Sequence, residues 1–203
     1  MYFKCKECST KRTKLYFISS TIYNDQNWEK ICDFFEKKGN EINKYTSVKE
    51  ANLNQLIDEL EKEGQQRIEE KKITKVVKPK KLLLFDEEQE PKQRKDKKIA
   101  PEIIFVFDDL STELRDNDIS TLIKKHRHFK TKVIYSSQYV NDLTPDSRNN
   151  TDFWLLFAGH SDEKLFTVFK NCDLNISFEL FKALYLDATK EMNLERILII
   201  YMI

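Results

Sequence analysis

Apolar positions in this chain fall into short, uninterrupted runs that alternate with stripes at helical spacing. Lys14-Leu15-Tyr16-Phe17-Ile18-Ser19-Ser20 is apolar at its centre and polar at its ends, which predicts a buried strand over 14–20. Asn24 and Asp25 offer N-caps for a helix in which Trp28, Ile31 and Phe35 recur at helical spacing, and Gly39 supplies a C-terminal cap. Ser47 and Glu50 have the spacing of a capping box. They precede a stripe of Leu53, Leu56, Ile57 and Leu60 that ends near Gly64.

From Arg67 to Lys98 the pattern dissolves. Lys71, Lys72, Lys75, Lys78, Lys80 and Lys81 form a basic run, Asp86, Glu87, Glu88 and Glu90 an acidic one, and Pro79 and Pro91 argue against one long helix. The stretch at about 65–100 reads as a charged inserted loop, with a short edge strand over 80–85. Periodicity then returns. Glu102-Ile103-Ile104-Phe105-Val106-Phe107 has no polar alternation, as expected of a strand buried on both faces, and ends on Asp108-Asp109. Asp118 is expected to cap a helix through Ile119, Leu122 and Ile123 that closes on Lys124-Lys125-His126-Arg127-His128. Another buried strand spans 132–138 and ends on Ser136-Ser137-Gln138. After a loop containing Pro145 and Arg148 come a strand over 153–157 and helices over 161–170 and 177–189. The second helix carries Phe178, Phe181, Leu184 and Tyr185 on one face, and the apolar stretch 197–203 offers a last strand. Trp28, Phe34, Phe35, Phe178 and Phe181 read as core. Strands alternating with helices predict an α/β fold with a mostly parallel sheet covered on both faces, and such sheets gather functional groups at the carboxyl ends of their strands.

A length of 203 residues suits one sizeable domain, and 40% hydrophobic content with 12% aromatics can fill its core. The net charge of +1 gives no global field, so any nucleic-acid surface must be local. No apolar run approaches the roughly 20 residues of a membrane span, and Met1-Tyr2-Phe3-Lys4-Cys5 has no signal-peptide core. An intracellular protein with four reduced cysteines is expected. Cys5-Lys-Glu-Cys8 has the spacing of half a zinc knuckle, but no second pair follows at a suitable distance.

Glycine use is decisive for one class of chemistry. The three glycines, Gly39, Gly64 and Gly159, are isolated, whereas a phosphate-cradling GxxxxGK[ST] loop needs two in one turn so that backbone N–H groups can converge without Cβ obstruction. Neither that loop nor GxGxxG is present. The residues that do carry chemistry sit at predicted strand ends. A hydrophobic strand followed by Asp108-Asp109 has the form of a Walker B motif, in which the first acid holds Mg²⁺ through water and the second activates the attacking water. Gln138, one helix and one strand later, can bond both a γ-phosphate and that water, and Arg148 offers a guanidinium in a polar loop. Each has a plainer reading: a turn-starting acid pair, a loop amide bonding backbone, a surface ion-pair arginine. A different Mg²⁺-dependent phosphotransfer or nuclease site would need a further acid, for which Asp116 and Asp118 are the nearest.

In order and spacing, the run from Ile103 to Asp109, the basic helix end His126-Arg127-His128-Phe129, the strand Val133-Ile134-Tyr135-Ser136-Ser137-Gln138 and the loop Arg148-Asn149-Asn150 resemble the genome-packaging ATPases of large DNA viruses and their relatives, within the FtsK/HerA superfamily of P-loop motors. The segment from Lys14 to Trp28 resembles the strand and helix after the P-loop helix of that family. The resemblance covers about residues 12–60 and 100–190. It implies a P-loop NTPase fold of the RecA-like (ASCE) kind, a three-layer sandwich present as a single partial ATPase domain over 1–203. The Walker A loop and its strand would precede residue 1, so an N-terminally truncated domain, doubtful as a tight ATP binder alone, is expected. It further implies ATP and Mg²⁺ as cofactors, with Asp108 coordinating Mg²⁺, Asp109 activating water, Gln138 as sensor and Arg148 as arginine finger. Asp109 stands where many relatives carry Glu. The implied partners are double-stranded DNA, with Lys124, Lys125 and Arg127 as candidate phosphate contacts, capsid or portal-vertex components, and further copies in a ring. The implied location is the host cytoplasm, a viral factory or the virion. The alternative is a non-enzymatic remnant of the same fold that binds DNA or a partner passively.

Overall fold

The computed structural model describes residues 13–76, 103–172, 174–190 and 198–201. Within them the chain forms β1 (Lys14–Ser19), α1 (Gln26–Glu36), β2 (Glu41–Tyr45), α2 (Val48–Ala51), α3 (Leu53–Val76), β3 (Ile103–Asp108), α4 (Asn117–Phe129), β4 (Thr131–Tyr135), α5 (Pro145–Asn149), β5 (Phe153–Leu156), α6 (Asp162–Asn171), α7 (Phe178–Ala188) and β6 (Leu198–Tyr201). Short 3₁₀ turns cover Ser111–Arg115 and Val140–Asp142. Four strands form an all-parallel sheet in the order β2-β1-β3-β4, and β5 and β6 form a separate two-stranded sheet. The α/β class expected from the alternating pattern is therefore present, and an antiparallel pair accompanies the parallel sheet.

The described residues divide into two compact units, one of 13–76, 103–106 and 126–134, the other of 107–125, 135–172, 174–190 and 198–201. In the first unit β1 is buried from Leu15 to Ser19 and pairs in parallel with β2, Leu15 opposite Ile42 and Ile18 opposite Tyr45. Asp25 caps α1 by accepting from the Asn27 amide at 2.8 Å, which satisfies one of the orphan donors of the first turn. Its buried face of Trp28, Cys32 and Phe35 packs with Leu15, Phe17, Ile104 and Val106. Phe17 meets Trp28 at 5.2 Å and Phe35 at 6.5 Å between ring centroids. Gly39 sits at φ +76, the left-handed conformation expected of a helix-ending glycine.

In this unit the structure adds one strand and corrects two expectations. Residues 41–45 form β2, which the sequence did not announce because Glu41-Ile42-Asn43-Lys44-Tyr45 lacks a continuous apolar run. Its position at the end of the strand order explains the half-buried pattern. Helix α3 does not end near Gly64 but continues to Val76, since Glu, Gln, Lys and Arg are good helix formers and no proline intervenes before Pro79. The inserted loop thus loses its first part to a helix. The proposed edge strand at 80–85 and the cysteines Cys5 and Cys8 lie outside the described residues.

The second unit has its own core. Trp154 and Leu156 point inward from β5, Leu165, Val168 and Cys172 come from α6 and its end, and Phe181 and Tyr185 from α7. Ser161 and Ser177 cap the two helices through the amides of Lys164 and Leu180. Leu184 is 49% exposed, so the expected face of α7 narrows to Phe181 and Tyr185, with Phe178 half-buried. The cap of α4 is Asp116, which accepts from the Asp118 amide at 2.8 Å, and Asp118 itself lies inside the helix. Among the described residues no helix is long and apolar enough to cross a membrane.

Phe35 is fully buried, and Phe35→Ala should lower the unfolding free energy by about 3–5 kcal/mol in a urea titration. Tyr23→Phe, in the same unit, removes only an exposed hydroxyl bond to the Lys44 carbonyl at 3.3 Å and should change stability by less than about 1 kcal/mol.

Candidate functional site

Strand β3 ends at Asp108 and β4 at Tyr135, and just beyond those ends the Ser136 amide donates to the Phe107 carbonyl at 2.9 Å. The two carboxyl ends are therefore joined. Past this junction the walls part around a cleft of about 170 Å³ lined by Asp108, Asp109 and Ser111 on one side and Ser136, Ser137, Gln138 and Asp142 on the other. All seven belong to the second unit.

The acid wall is sharply turned. Asp109 has φ +52 and Ser111 φ +41, a left-handed conformation that short polar side chains tolerate better than others. Leu110 between them is buried and anchors the turn. On the opposite wall Ser137 Oγ donates to the Tyr139 carbonyl at 2.8 Å and to Asp142 Oδ2 at 2.6 Å, and accepts from the Tyr139 amide at 3.2 Å. One hydroxyl proton is shared between the two acceptors. The 3₁₀ turn Val140–Asp142 folds back to bring Asp142 into the cleft, with the Asp142 amide on the Tyr139 carbonyl at 3.1 Å.

Of the residues singled out from sequence, Asp108, Asp109 and Gln138 come together in this cleft. Arg148 does not line it. Its Nη1 donates to the Val140 carbonyl at 3.3 Å, to Asn141 Oδ1 at 3.2 Å and to the Leu143 carbonyl at 3.2 Å, so the guanidinium is held on its own chain. Lys124 forms an ion pair with Asp146 at 2.6 Å, exposed enough to contribute about 1 kcal/mol or less. Lys125 and Arg127 are exposed on α4 and also engaged. Asp116 serves as the α4 cap and is not in the cleft.

Sequence reading missed Ser111 and Asp142 as lining residues and did not weigh Ser136 and Ser137 as such. Polar side chains just past a strand end were a usable signal for the serines. Asp142 had none, because it arrives only through the fold-back of the 3₁₀ turn. The donor set is three carboxylates, three hydroxyls and one amide, all hard ligands that suit Mg²⁺ rather than a thiolate-seeking metal. Among the described residues no three His, Cys, Asp or Glu side chains converge as a cage. An ion here would keep much of its water, as Mg²⁺ does.

Behind the cleft α5 is fastened by a closed triangle of hydroxyls. Ser120 Oγ lies 2.8 Å from Thr144 Oγ1 and 3.0 Å from Ser147 Oγ, and the latter two are 2.9 Å apart. Thr144 also caps α5 through the Ser147 amide. Tyr135, the last residue of β4, is bonded to the Thr151 hydroxyl. Burial pushes its phenol up to about 12, against the downward pull of that bond, with Asp152 adding to the rise.

Comparison with protein-family models, with curated proteins and with solved structures found no match to this chain.

Tyr135 gives a pH prediction. Because its folded value lies above the unfolded value of 10.0, its contribution to stability is fully present below pH 10 and is lost as pH rises from 10 through about 12. Burial raises the Tyr16 phenol as well, so absorbance of ionised tyrosine should show more than one late phenol, and Tyr135→Phe should remove the step near the top of that window.

Proposed function

We propose that this chain carries the Walker B and sensor half of a P-loop-type ATPase site, of the kind used by FtsK/HerA genome-packaging motors to drive DNA into a capsid. The observation that carries the reading is the meeting of Asp108, Asp109 and Gln138 in one cleft, at the carboxyl ends of neighbouring parallel strands. Strand-end crevices are where open α/β sheets bind ligands. In this reading Asp108 holds the hydrated Mg²⁺ of a nucleotide, Asp109 orients and deprotonates water, and Gln138 bonds that water and the terminal phosphate. The bound Mg²⁺·ATP would supply charge neutralisation and the transferable phosphoryl group.

The lining also sets what the cleft lacks. Among the described residues it presents three acids and no Lys or Arg, so a nucleotide's phosphates would meet negative and neutral groups there. The Gly-framed loop and its lysine are not in this sequence. In this reading, grip on the phosphates comes from groups other than those that line the cleft. A lining without a phosphate-gripping cation also suits a second reading, a module of this fold without turnover that binds DNA or a protein partner through other surfaces.

Mn²⁺ titration followed by electron paramagnetic resonance tests the site, with Mn²⁺ standing in for Mg²⁺. The wild-type chain should bind Mn²⁺, and Asp108→Asn should weaken that binding about tenfold or more, on the order of 1.4 kcal/mol. Where the protein hydrolyses ATP, Asp109→Asn should lower turnover by about 10²–10⁴ while keeping the ion. Mn²⁺ binding that is the same in wild type, Asp108→Asn and Asp109→Asn would sink the assignment. DNA binding that falls with salt but ignores ATP and both acids would favour the passive module.

A further inference from the structure

The turn that brings Asp142 into the cleft is gripped by two arginines, and one of them, Arg115, comes from the segment that follows the acid pair. Arg115 ends the 3₁₀ turn Ser111–Arg115, and its Nε and Nη2 both donate to the Asn141 carbonyl, at 3.1 and 2.9 Å. Arg148 approaches the same turn from α5 and takes the carbonyls of Val140 and Leu143 and the side-chain oxygen of Asn141. These acceptors gather at the carboxyl end of a single helical turn, where carbonyls lack partners and the dipole favours cations. Among the described residues neither guanidinium pairs with a carboxylate. Besides the arginines, the Ser137 hydroxyl holds Tyr139 and Asp142 and Val140 packs half-buried against the core of its unit, while no residue of the turn itself is buried.

We propose that Arg115 is a positioning residue that sets the spacing of the two cleft walls, and that Arg148 is its partner within the same chain rather than a finger that reaches into another. The inference rests on reading the cleft as a divalent-cation and nucleotide site. The wall with Asp108 and Asp109 and the wall with Gln138 and Asp142 are joined at their base by the Ser136–Phe107 backbone bond. Arg115 joins them again beyond the cleft. Two fixed points turn a pair of loops into a frame, so the distance between Asp109 and Asp142 does not depend on loop flexibility alone. Arg148 completes the frame by tying the turn to α5, which the Ser120–Thr144–Ser147 hydroxyls fasten to α4. All three acceptors are bound through Nη1, so these bonds fix where the guanidinium sits on its own chain.

Amide hydrogen exchange on the intact chain tests the frame, with the Asp142 and Leu143 amides as reporters, because they close the turn onto Tyr139 and Val140. Arg115→Ala and Arg148→Ala should each raise exchange at these two amides about tenfold, with β5 and α6 unchanged. Arg115→Lys should recover part of the protection, since one ammonium can still donate to the Asn141 carbonyl. The same variants are titrated with Mn²⁺, and Arg115→Ala should weaken Mn²⁺ binding several-fold at unchanged thermal stability. Unchanged exchange at residues 142 and 143 would overturn the frame, as would a rise spread equally over β5 and α6. A rise in exchange with Mn²⁺ affinity intact, in a protein whose Asp108→Asn variant has lost it, would overturn the positioning role and leave the cation site standing. If the wild-type chain binds no Mn²⁺, the reading of the cleft fails, and exchange alone decides the frame. Protection unchanged in Arg148→Ala would return that residue to its role as a candidate finger.

Discussion

The Ser136 amide meets the Phe107 carbonyl at 2.9 Å, and that bond holds the ends of β3 and β4 side by side. Parallel pairing does the rest, because it makes neighbouring strands run out in the same direction. An acid pair at the end of one strand and an amide beyond the end of the next then come to line the same cleft. Residues nearly thirty positions apart, Asp109 and Gln138, share a cleft for a reason that belongs wholly to the backbone.

Charge decides what such a cleft can receive. Like charges repel, so three carboxylates with no Lys or Arg among the described lining residues favour a positive occupant over a phosphate. A hydrated divalent ion relieves the repulsion, and only then does an anionic ligand gain by approaching. Arg115 and Arg148 are bound to neutral carbonyls of the turn that carries Asp142, so those bonds leave their charge uncancelled.

How much of this was legible in the residues depends on where each signal is written. Buried strands declared themselves: β1 and β3 have continuous apolar runs because both of their faces are covered, and the acids at the end of β3 were legible for the same reason. The half-buried β2 had no such run and was missed. Helix starts were readable at Asp25, Ser161 and Ser177, where a side-chain oxygen does the capping, and misread by two residues at α4, where Asp116 and Asp118 compete for the role. Gly64 was read as a stop, but a glycine ends a helix only when the chain turns left-handed after it, and helix-forming neighbours carried α3 onward. In the cleft, the residues at strand ends were visible, and those delivered by tertiary folding were not. Nothing in Tyr139-Val140-Asn141-Asp142 states that it bends back on itself, or that Arg115 and Arg148 converge on its carbonyls.

Asp109 holds its carboxylate on a backbone at φ +52, a region where glycine rests more easily than any residue with a Cβ. Glycine there would relieve the backbone and remove the acid in the same step, so at this one position an unstrained backbone and a carboxylate in the cleft wall exclude each other.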